Sequence, residues 1–138
     1  MIEEGLFNAL KGDTSIDAKV GYELDEDTEA NTKWHIYPLR LPEGVDLSNG
    51  YAISYTEISQ RLNYPTARQS LIQLNCFGDT FDKARDLAND IDTCLNDLSA
   101  SKLGGTFPIT YVKFENRQAL YDDNAKLWYF AVEVSINY

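Results

Sequence analysis

Residues 70–98 constrain the fold more than any other stretch, because a strand pattern there passes through one glycine into a long helix pattern. Before the turn, Ile72, Leu74 and Cys76 alternate with polar residues, as in a strand with one buried face. After Gly78, apolar residues recur at steps of three and four, as in an amphipathic helix. These helix residues are Phe81, Ala84, Leu87, Ala88, Ile91, Leu95 and Leu98. The sequence therefore predicts a strand, a tight turn and a helix over about residues 80–98.

Other apolar patterns predict one short helix and further strands. Residues 2–11 share an apolar face and end at Gly12, which indicates a short N-terminal helix. Alternating residues predict strands over 51–58, 107–118 and 127–138. Residues 59–67 are interpreted as the connection to the antiparallel strand before Gly78, either as a simple hairpin or as one with long arms. Strands on both sides of one long helix are typical of an α+β domain. We expect an antiparallel or mixed sheet of four to five strands, within a single domain spanning residues 1–138.

The segment between the first helix and the first long strand is the least regular. Residues 13–33 carry few large apolar side chains, and we interpret 23–32 as an exposed acidic loop. Two interpretations of this loop stand: a solvated connector, or an acidic surface directed at a partner or a DNA channel. Pro38 and Pro42 restrict the next segment to a short edge strand.

Composition and charge exclude several classes of protein. A formal net charge of −10 argues against a groove that grips DNA phosphates. No apolar run reaches the ~18 residues of a membrane span, and the N-terminus lacks the pattern of a signal peptide, so we expect a cytosolic compartment and no membrane partner. Cys76 and Cys94 fall on or beside apolar faces, which predicts two buried thiols.

No motif in the sequence indicates catalysis or a cofactor. The pair Gly104-Gly105 precedes a strand pattern and lacks the context of a phosphate-binding loop. Asp25, Asp27 and Glu29 are spaced like calcium ligands, but the segment lacks the glycine and the closing acid of such a loop. His35, the one histidine, has no paired nucleophile or acid pattern, so we expect a structural side chain. We therefore expect no enzyme activity, cofactor or metal.

Four stretches together resemble the tail-completion proteins of long-tailed phages, also called tail terminators or tail-to-head joining proteins. They are residues 51–55, residues 72–88 with their Gln-Leu-Asn-Cys-Phe strand and Phe-Asp-Lys-Ala helix start, residues 115–122 ending in Leu-Tyr-Asp, and residues 127–136. The resemblance covers the chain from Tyr51 onward together with the first helix. The acidic residues 23–29 and the proline-containing stretch up to Gly50 depart from the family pattern.

The resemblance implies a structural subunit that assembles into a ring with itself, usually a hexamer. Such a ring caps the tail tube, ends its polymerisation and joins the tail to the head through a connector protein, with DNA passing through the lumen unbound. The subunit would reside in the virion, at the head-proximal end of the tail, and in the host cytoplasm during assembly. Basic and aromatic residues predict the interface, namely Arg61, Tyr64, Arg68, Arg117 and Tyr121. Acidic residues predict the lumen or an acidic surface, namely Asp25, Glu26, Asp27 and Glu29.

Two other functions remain open from the sequence. One is a head–tail connector, a stopper or another minor tail protein. A more remote one is a small module that binds a small molecule or a nucleic acid, although basic and aromatic residues interleave only locally in so acidic a chain. For each candidate interface or lumen residue, an ordinary solvated surface is the alternative.

Overall fold

The computed structural model describes residues 2–44, 47, 49–63, 67–96 and 111–137, with side chains from residue 5 onward except at 59–63, 67, 68 and 111. A helical layer covers one face of a sheet, which confirms the α+β class. The helices are α1 (Ile2–Gly12), α2 (Thr14–Val20) and α3 (Phe81–Asn96). The strands are β1 (Gly21–Leu24), β2 (Asn31–Trp34), β3 (Ile36–Pro38), β4 (Tyr51–Asn63), β5 (Ala67–Gly78), β6 (Tyr111–Asp122) and β7 (Leu127–Asn137).

Five strands form the main sheet in the order β3-β4-β5-β7-β6. Neighbouring strands are antiparallel except that β3 runs parallel to β4, so the sheet is mixed, as expected. β3 is a three-residue edge strand, and it ends at Pro38, which has no N–H to give to a further ladder. The described residues place β6 at the other edge. β1 and β2 form a separate antiparallel hairpin just before β3.

The turn from β5 into α3 forms as the sequence predicts. Thr80 caps the helix, since its Oγ1 accepts a hydrogen bond from the Lys83 backbone N–H at 3.2 Å. Gly78 allows α3 to lie against the end of β5, because a Cβ at that position would come within 2.4 Å of the Ala84 nitrogen. α3 is confirmed up to Asn96, and the predicted end at Leu98 lies outside the described residues.

The core lies between the three helices and one face of the sheet. Each alternate residue of the central strands faces it, including Ile72, Leu74 and Cys76, and all three are fully buried. Both predicted thiols are buried, and burial raises the pKa of the Cys76 thiol above its ordinary value. On the other face, Asn75 donates to the Ser54 hydroxyl at 3.2 Å and accepts from Gln73 at 3.0 Å.

The expectation that residues 13–33 are irregular is wrong. Residues 14–20 form α2, whose N-terminus is capped by the Asp13 carboxylate, and residues 21–24 and 31–34 form the β1–β2 hairpin. The Asp17 carboxylate joins these elements by accepting hydrogen bonds from Asn31 and from the indole of Trp34. Tertiary contacts of this kind order a segment that has little local pattern.

Two predicted strand boundaries also change. β4 continues through residues 59–63, for which the sequence pattern predicts a connection, so β4 and β5 form a hairpin with long arms. β6 runs on to Asp122, beyond the predicted end at residue 118, and its predicted beginning at residues 107–110 lies outside the described residues. Both strands contain a bulge, at Ile58 in β4 and at Glu115 in β6.

Candidate interaction surfaces

Three exposed aromatic side chains lie at one end of β6 and β7, and one of them contacts the other two. They are Phe81, Tyr121 and Trp128, which are 40%, 45% and 37% exposed, and we call them the aromatic patch. Trp128 packs edge-on against Phe81 at a centroid distance of 5.5 Å and against Tyr121 at 5.0 Å. Phe81 also contacts the core residue Phe130 at 5.4 Å. The aromatic patch is thus an outward continuation of the core.

Arg117 borders the aromatic patch and makes two contacts within the protein. Its guanidinium lies 4.9 Å from the centre of the Phe130 ring, and its Nη1 donates to Asp92 Oδ2 of α3 at 2.8 Å. Burial raises the pKa of Asp92, while the neighbouring Arg117 acts in the opposite direction. Aromatic residues and arginine are typical of binding hot spots. The predicted interface residues Arg117 and Tyr121 therefore lie together at one surface.

Other exposed apolar residues belong to β1 and to the chain just after β3. They are Tyr22, Leu24 and Leu39. Tyr22 stacks on His35 at 4.0 Å, and the His35 Nδ1 is 2.6 Å from the Tyr37 hydroxyl. Burial is the main reason that the pKa of Tyr37 is raised. Leu39 is 71% exposed, the largest value among the exposed large hydrophobic residues of the described chain.

The other predicted interface residues lie elsewhere. Arg61 and Arg68 are near the tip of the β4–β5 hairpin, where Arg61 is opposite Gln69. Because Gln69 pairs with Asn137, this tip is at the far end of the sheet from Tyr121 and Trp128. The structure therefore does not bring Arg61 and Arg68 together with Arg117 and Tyr121. Their side chains, and the whole of Tyr64, lie outside the described part of the chain.

The predicted acidic residues form the turn of the β1–β2 hairpin. Glu26, Asp27 and Glu29 are exposed, and Asp25 is half-buried. The Asp25 carboxylate accepts a hydrogen bond from the Asp27 backbone N–H at 2.9 Å, which fixes the turn. Glu29 adopts a left-handed conformation with φ of 57°. The exposed acidic segment is therefore shorter and more ordered than the predicted loop over 23–32.

A cleft of about 790 Å³ opens on the sheet face away from the helices. It lies between the chain that follows β3 and the β6–β7 turn, and Leu39, Ser54, Asn75 and Tyr129 are among the residues that line it. The volume is in the range of small-molecule sites. However, Ser54 and Asn75 already bond to each other, so these polar groups of the cleft are satisfied within the protein.

The described residues show no arrangement typical of a metal site. No three His, Cys, Asp or Glu side chains of these residues are grouped as such a site would require. His35 is buried, and its contacts with Tyr22 and Tyr37 fit the structural role expected from the sequence. Within the same residues, no helix combines the length and hydrophobicity needed to cross a membrane.

Sequence reasoning predicted Tyr121 but not the exposure of the other large apolar residues. Phe81 and Trp128 continue the buried stripes of α3 and β7, so their pattern alone predicts core positions. Each lies at the end of its element that is next to the turn, where the core stops, and this position was the available signal for exposure. Leu24 and Leu39 gave no such signal, because neither belongs to a long apolar pattern.

Comparison with known proteins gives a match in structure but not in sequence family. No protein-family model matches the chain, and no curated protein sequence does. Among solved structures, the chain is similar to one from the "Virion of native gene transfer agent (GTA) particle". The TM-score is 0.62 at 15% sequence identity, over 96% of this chain and 90% of the other. The two chains share a fold over almost their whole lengths.

Proposed function

We propose that this protein is a structural component of a virion, where it forms a ring that closes the tail tube at its head-proximal end. In this role it ends polymerisation of the tube and presents the surface that the head connector binds. The observation that carries the proposal is the fold shared with a chain of a gene transfer agent virion over 96% of this protein. The sequence resemblance to tail terminators supports the same class of protein.

The surfaces of the molecule support a role in assembly. The aromatic patch exposes three aromatic rings beside an arginine, and such exposed apolar surface is typical of protein–protein contacts. A ring requires two different surfaces on each subunit, and the exposed residues Tyr22, Leu24 and Leu39 are candidates for the second. The protein would thus act by binding its neighbours and not by catalysis.

The charge of the chain supports passage of DNA without adhesion. With a net charge of −10, an acidic wall would repel the phosphate backbone. We propose that the acidic turn formed by Asp25, Glu26, Asp27 and Glu29 faces the lumen of the ring. During assembly the protein would be in the host cytoplasm, and afterwards in the virion at the junction of head and tail.

The test is assembly with purified tail tubes. We expect the protein to sediment with tubes, to appear by electron microscopy as a ring at one tube end, and to stop tube growth when added to polymerising tube protein. Binding to the head vertex without binding to tubes would instead identify a connector or stopper. A protein that stays monomeric at all concentrations and never binds tubes or heads would contradict the proposal.

A further inference from the structure

We infer that neighbouring subunits of the ring join edge to edge, with β4 of one subunit pairing as an antiparallel strand with β6 of the next. One surface is the outer backbone edge of residues 59–63, which we call the β4 edge. The other is the outer backbone edge of residues 116–122, which we call the β6 edge. The partner is a second copy of this chain. The inference rests on the proposed function and adds to it the backbone groups that meet.

Both edges present backbone that no described residue covers. On its outer side, β4 pairs with β3 only over residues 53–55, and Leu39 extends this contact as far as Thr56. From residue 59 onward, the described part of the chain leaves that side of β4 uncovered. β6 has β7 on one side and no described strand on the other, and its pairing with β7 is regular from Asn116 to Asp122. A regular, uncovered edge is a template for a further strand.

The two edges lack the residues by which soluble proteins protect an exposed strand. Residues 59–63 are Ser-Gln-Arg-Leu-Asn and residues 116–122 are Asn-Arg-Gln-Ala-Leu-Tyr-Asp, so neither contains proline or lysine. Proline, lysine and bulges are common means of blocking strand addition. The bulges of β4 and β6, at Ile58 and Glu115, lie just outside these segments. Both segments are therefore suited to pairing with another strand.

Strand direction favours pairing of β4 with β6 over pairing of either edge with itself. β4 is antiparallel to β5, β5 to β7 and β7 to β6, so β4 and β6 run in opposite directions. When a neighbour keeps the same orientation, its β4 continues this antiparallel order beside β6. A two-fold contact between two β6 edges would stop at a dimer and leave the β4 edge uncovered. A head-to-tail contact covers both edges and can continue around a ring.

The registers of the sheet set a stagger between neighbours. Through successive strand pairs, Ser59 lies level with Leu71, Ser135 and Lys113, whereas the β6 edge lies further along β6. A neighbour must therefore be shifted along the strands in the direction of Asp122. Because β3 pairs near the other end of β4, this shift carries it past the end of β6 and avoids an overlap. Tilted strands accommodate such a stagger in a closed ring, as they do in β-barrels.

Charge permits this contact in a chain with a net charge of −10. Residues 59–63 contain Arg61 and no acidic residue, and residues 116–122 contain one residue of each sign, Arg117 and Asp122. Two acidic subunits can therefore meet at these segments with little repulsion. The contact would also bring Arg61 of one subunit to the strand that carries Arg117 and Tyr121 in the next, and all three belong to the interface predicted from the sequence.

Proline substitutions test the inference, because proline removes a backbone N–H from a strand. Successive N–H groups of a strand point to opposite sides. One of Gln118→Pro and Ala119→Pro therefore blocks the β6 edge, and the other disturbs the pairing with β7. The same holds for Gln60→Pro and Arg61→Pro at the β4 edge. Circular dichroism identifies the variant of each pair that keeps the fold.

Neither folded proline variant alone should form rings on tail tubes or oligomers by native mass spectrometry. A mixture of the variant blocked at β4 and the variant blocked at β6 should form a one-to-one pair and nothing larger, because only one intact junction is possible per pair. Gln60→Ala and Gln118→Ala are the matched controls, since they keep the N–H and should assemble like the unmodified protein.

Hydrogen exchange provides a second measurement, which needs no substitution. In rings on tail tubes, amides of residues 59–63 and of residues 116–122 should exchange about tenfold or more slowly than in the dilute monomer. Amides of β5 should change little, because β5 is paired with β4 and β7 within the subunit. If no proline variant of a strand keeps the fold, this measurement decides.

Three results would overturn the inference. They are rings formed by a folded proline variant alone, oligomers of the variant blocked at β4 through its β6 edge, and rings in which only one of the two edges is protected from exchange. In each case the unmodified protein would still cap tubes, so the proposed function would stand. If the unmodified protein neither assembles nor binds tubes or heads, the proposed function fails and the inference fails with it.

Discussion

Arg117 of β6 and Asp92 of α3 join the sheet to the helical layer through a 2.8 Å hydrogen bond between Nη1 and Oδ2, directly beside the aromatic patch. The other carboxylate oxygen, Asp92 Oδ1, is buried and has no hydrogen-bond partner among the described residues. The guanidinium also covers the Phe130 ring. One arginine therefore neutralises a partly buried carboxylate and supports the ring on which Phe81 rests, so stability and the candidate interface are linked at this position.

Replacing Arg117 with methionine should lower the free energy of unfolding by about 1–2 kcal/mol, because Asp92 would lose its charged partner while both side chains are only partly shielded from water. Chemical denaturation at neutral pH measures this change. Arg85→Met is the control, since its pairs with Asp82 and Asp86 lie on the exposed surface of α3 and should contribute little. Equal losses in the two variants would contradict the structural role of the Arg117–Asp92 pair.

The raised pKa of Asp92 also predicts a pH dependence. A carboxyl whose pKa is higher in the folded state than in the unfolded state binds more protons when folded, so acidification favours folding through this group. Its contribution is fully present below the unfolded value near 3.8 and is lost as pH rises through the folded value. We compare the free energy of unfolding of the unmodified protein with that of the Asp92→Asn variant. The unmodified protein should gain stability relative to the variant as pH falls from 7 towards 4. An unchanged difference would show that burial does not perturb this carboxyl.

Lys19 of α2 and Asp90 of α3 form an ion pair that fixes the short helix to the long one. Replacing Lys19 with methionine should cost about 1 kcal/mol at neutral pH, as for a partly buried charged hydrogen bond. The hydrogen bond to Asp90 raises the pKa of Lys19, so the contribution should persist below its ordinary value of 10.5 and disappear as pH rises through the folded value.

The control for Lys19 is Lys33→Met, which removes an ion pair with Glu23 in the β1–β2 hairpin. Both side chains of that pair are more than half exposed, so its loss should leave the denaturation midpoint almost unchanged. If Lys33→Met were as destabilising as Lys19→Met, the lower exposure of the Lys19–Asp90 pair would have no measurable consequence.

Elements whose signal lies within a few neighbouring residues were predicted from the sequence, and elements that depend on distant contacts were not. The turn at Gly78, the stripe of α3 and the alternation of β5 and β7 are visible within a few residues, and the structure confirms them. α2 was missed because it is only seven residues long, so its local signals, the Asp13 cap and the buried pair Ile16 and Val20, are weak without the distant contact to Asp90. The parallel pairing of β3 with β4 likewise depends on contacts that no local pattern encodes.

The candidate site was predicted only in part, for a related reason. Arg117 and Tyr121 were found because basic and aromatic residues interleave near the last turn, and the structure places both beside Trp128 and Phe130. Exposure of an apolar residue depends on where neighbouring elements end, which is a property of the assembled fold. Thus the exposure of Leu24 and Leu39 became visible only when the ends of β1 and β3 were placed in the fold.

Gly78 should tolerate no side chain. In Gly78→Ala the new Cβ would lie 2.4 Å from the Ala84 nitrogen and 2.9 Å from the Lys83 carbonyl carbon, so α3 would have to move off the end of β5. We expect a loss of about 2–3 kcal/mol, the upper part of the range for overpacked positions. Gly12→Ala is the matched control, because a Cβ at that position would meet nothing within 4 Å, and it should be neutral or slightly stabilising. Similar thermal midpoints for the two variants would contradict the close approach of α3 to β5.

Neutralising the acidic turn tests whether its charges act in the ring, as distinct from stabilising the fold of the subunit. We consider a variant that combines four neutralising changes, Asp25→Asn, Glu26→Gln, Asp27→Asn and Glu29→Gln. Its thermal midpoint should stay within a few degrees of that of the unmodified protein, because these side chains are largely exposed. In addition, an asparagine at position 25 keeps the oxygen that accepts a hydrogen bond from the Asp27 backbone N–H. If the turn faces the lumen, the variant should still form rings but should retain DNA at low salt, as electrophoretic mobility would show, with the retention lost as salt rises. Rings that fail to form would place these carboxylates at the contact between subunits, and rings with unchanged DNA behaviour would place them on the outer surface.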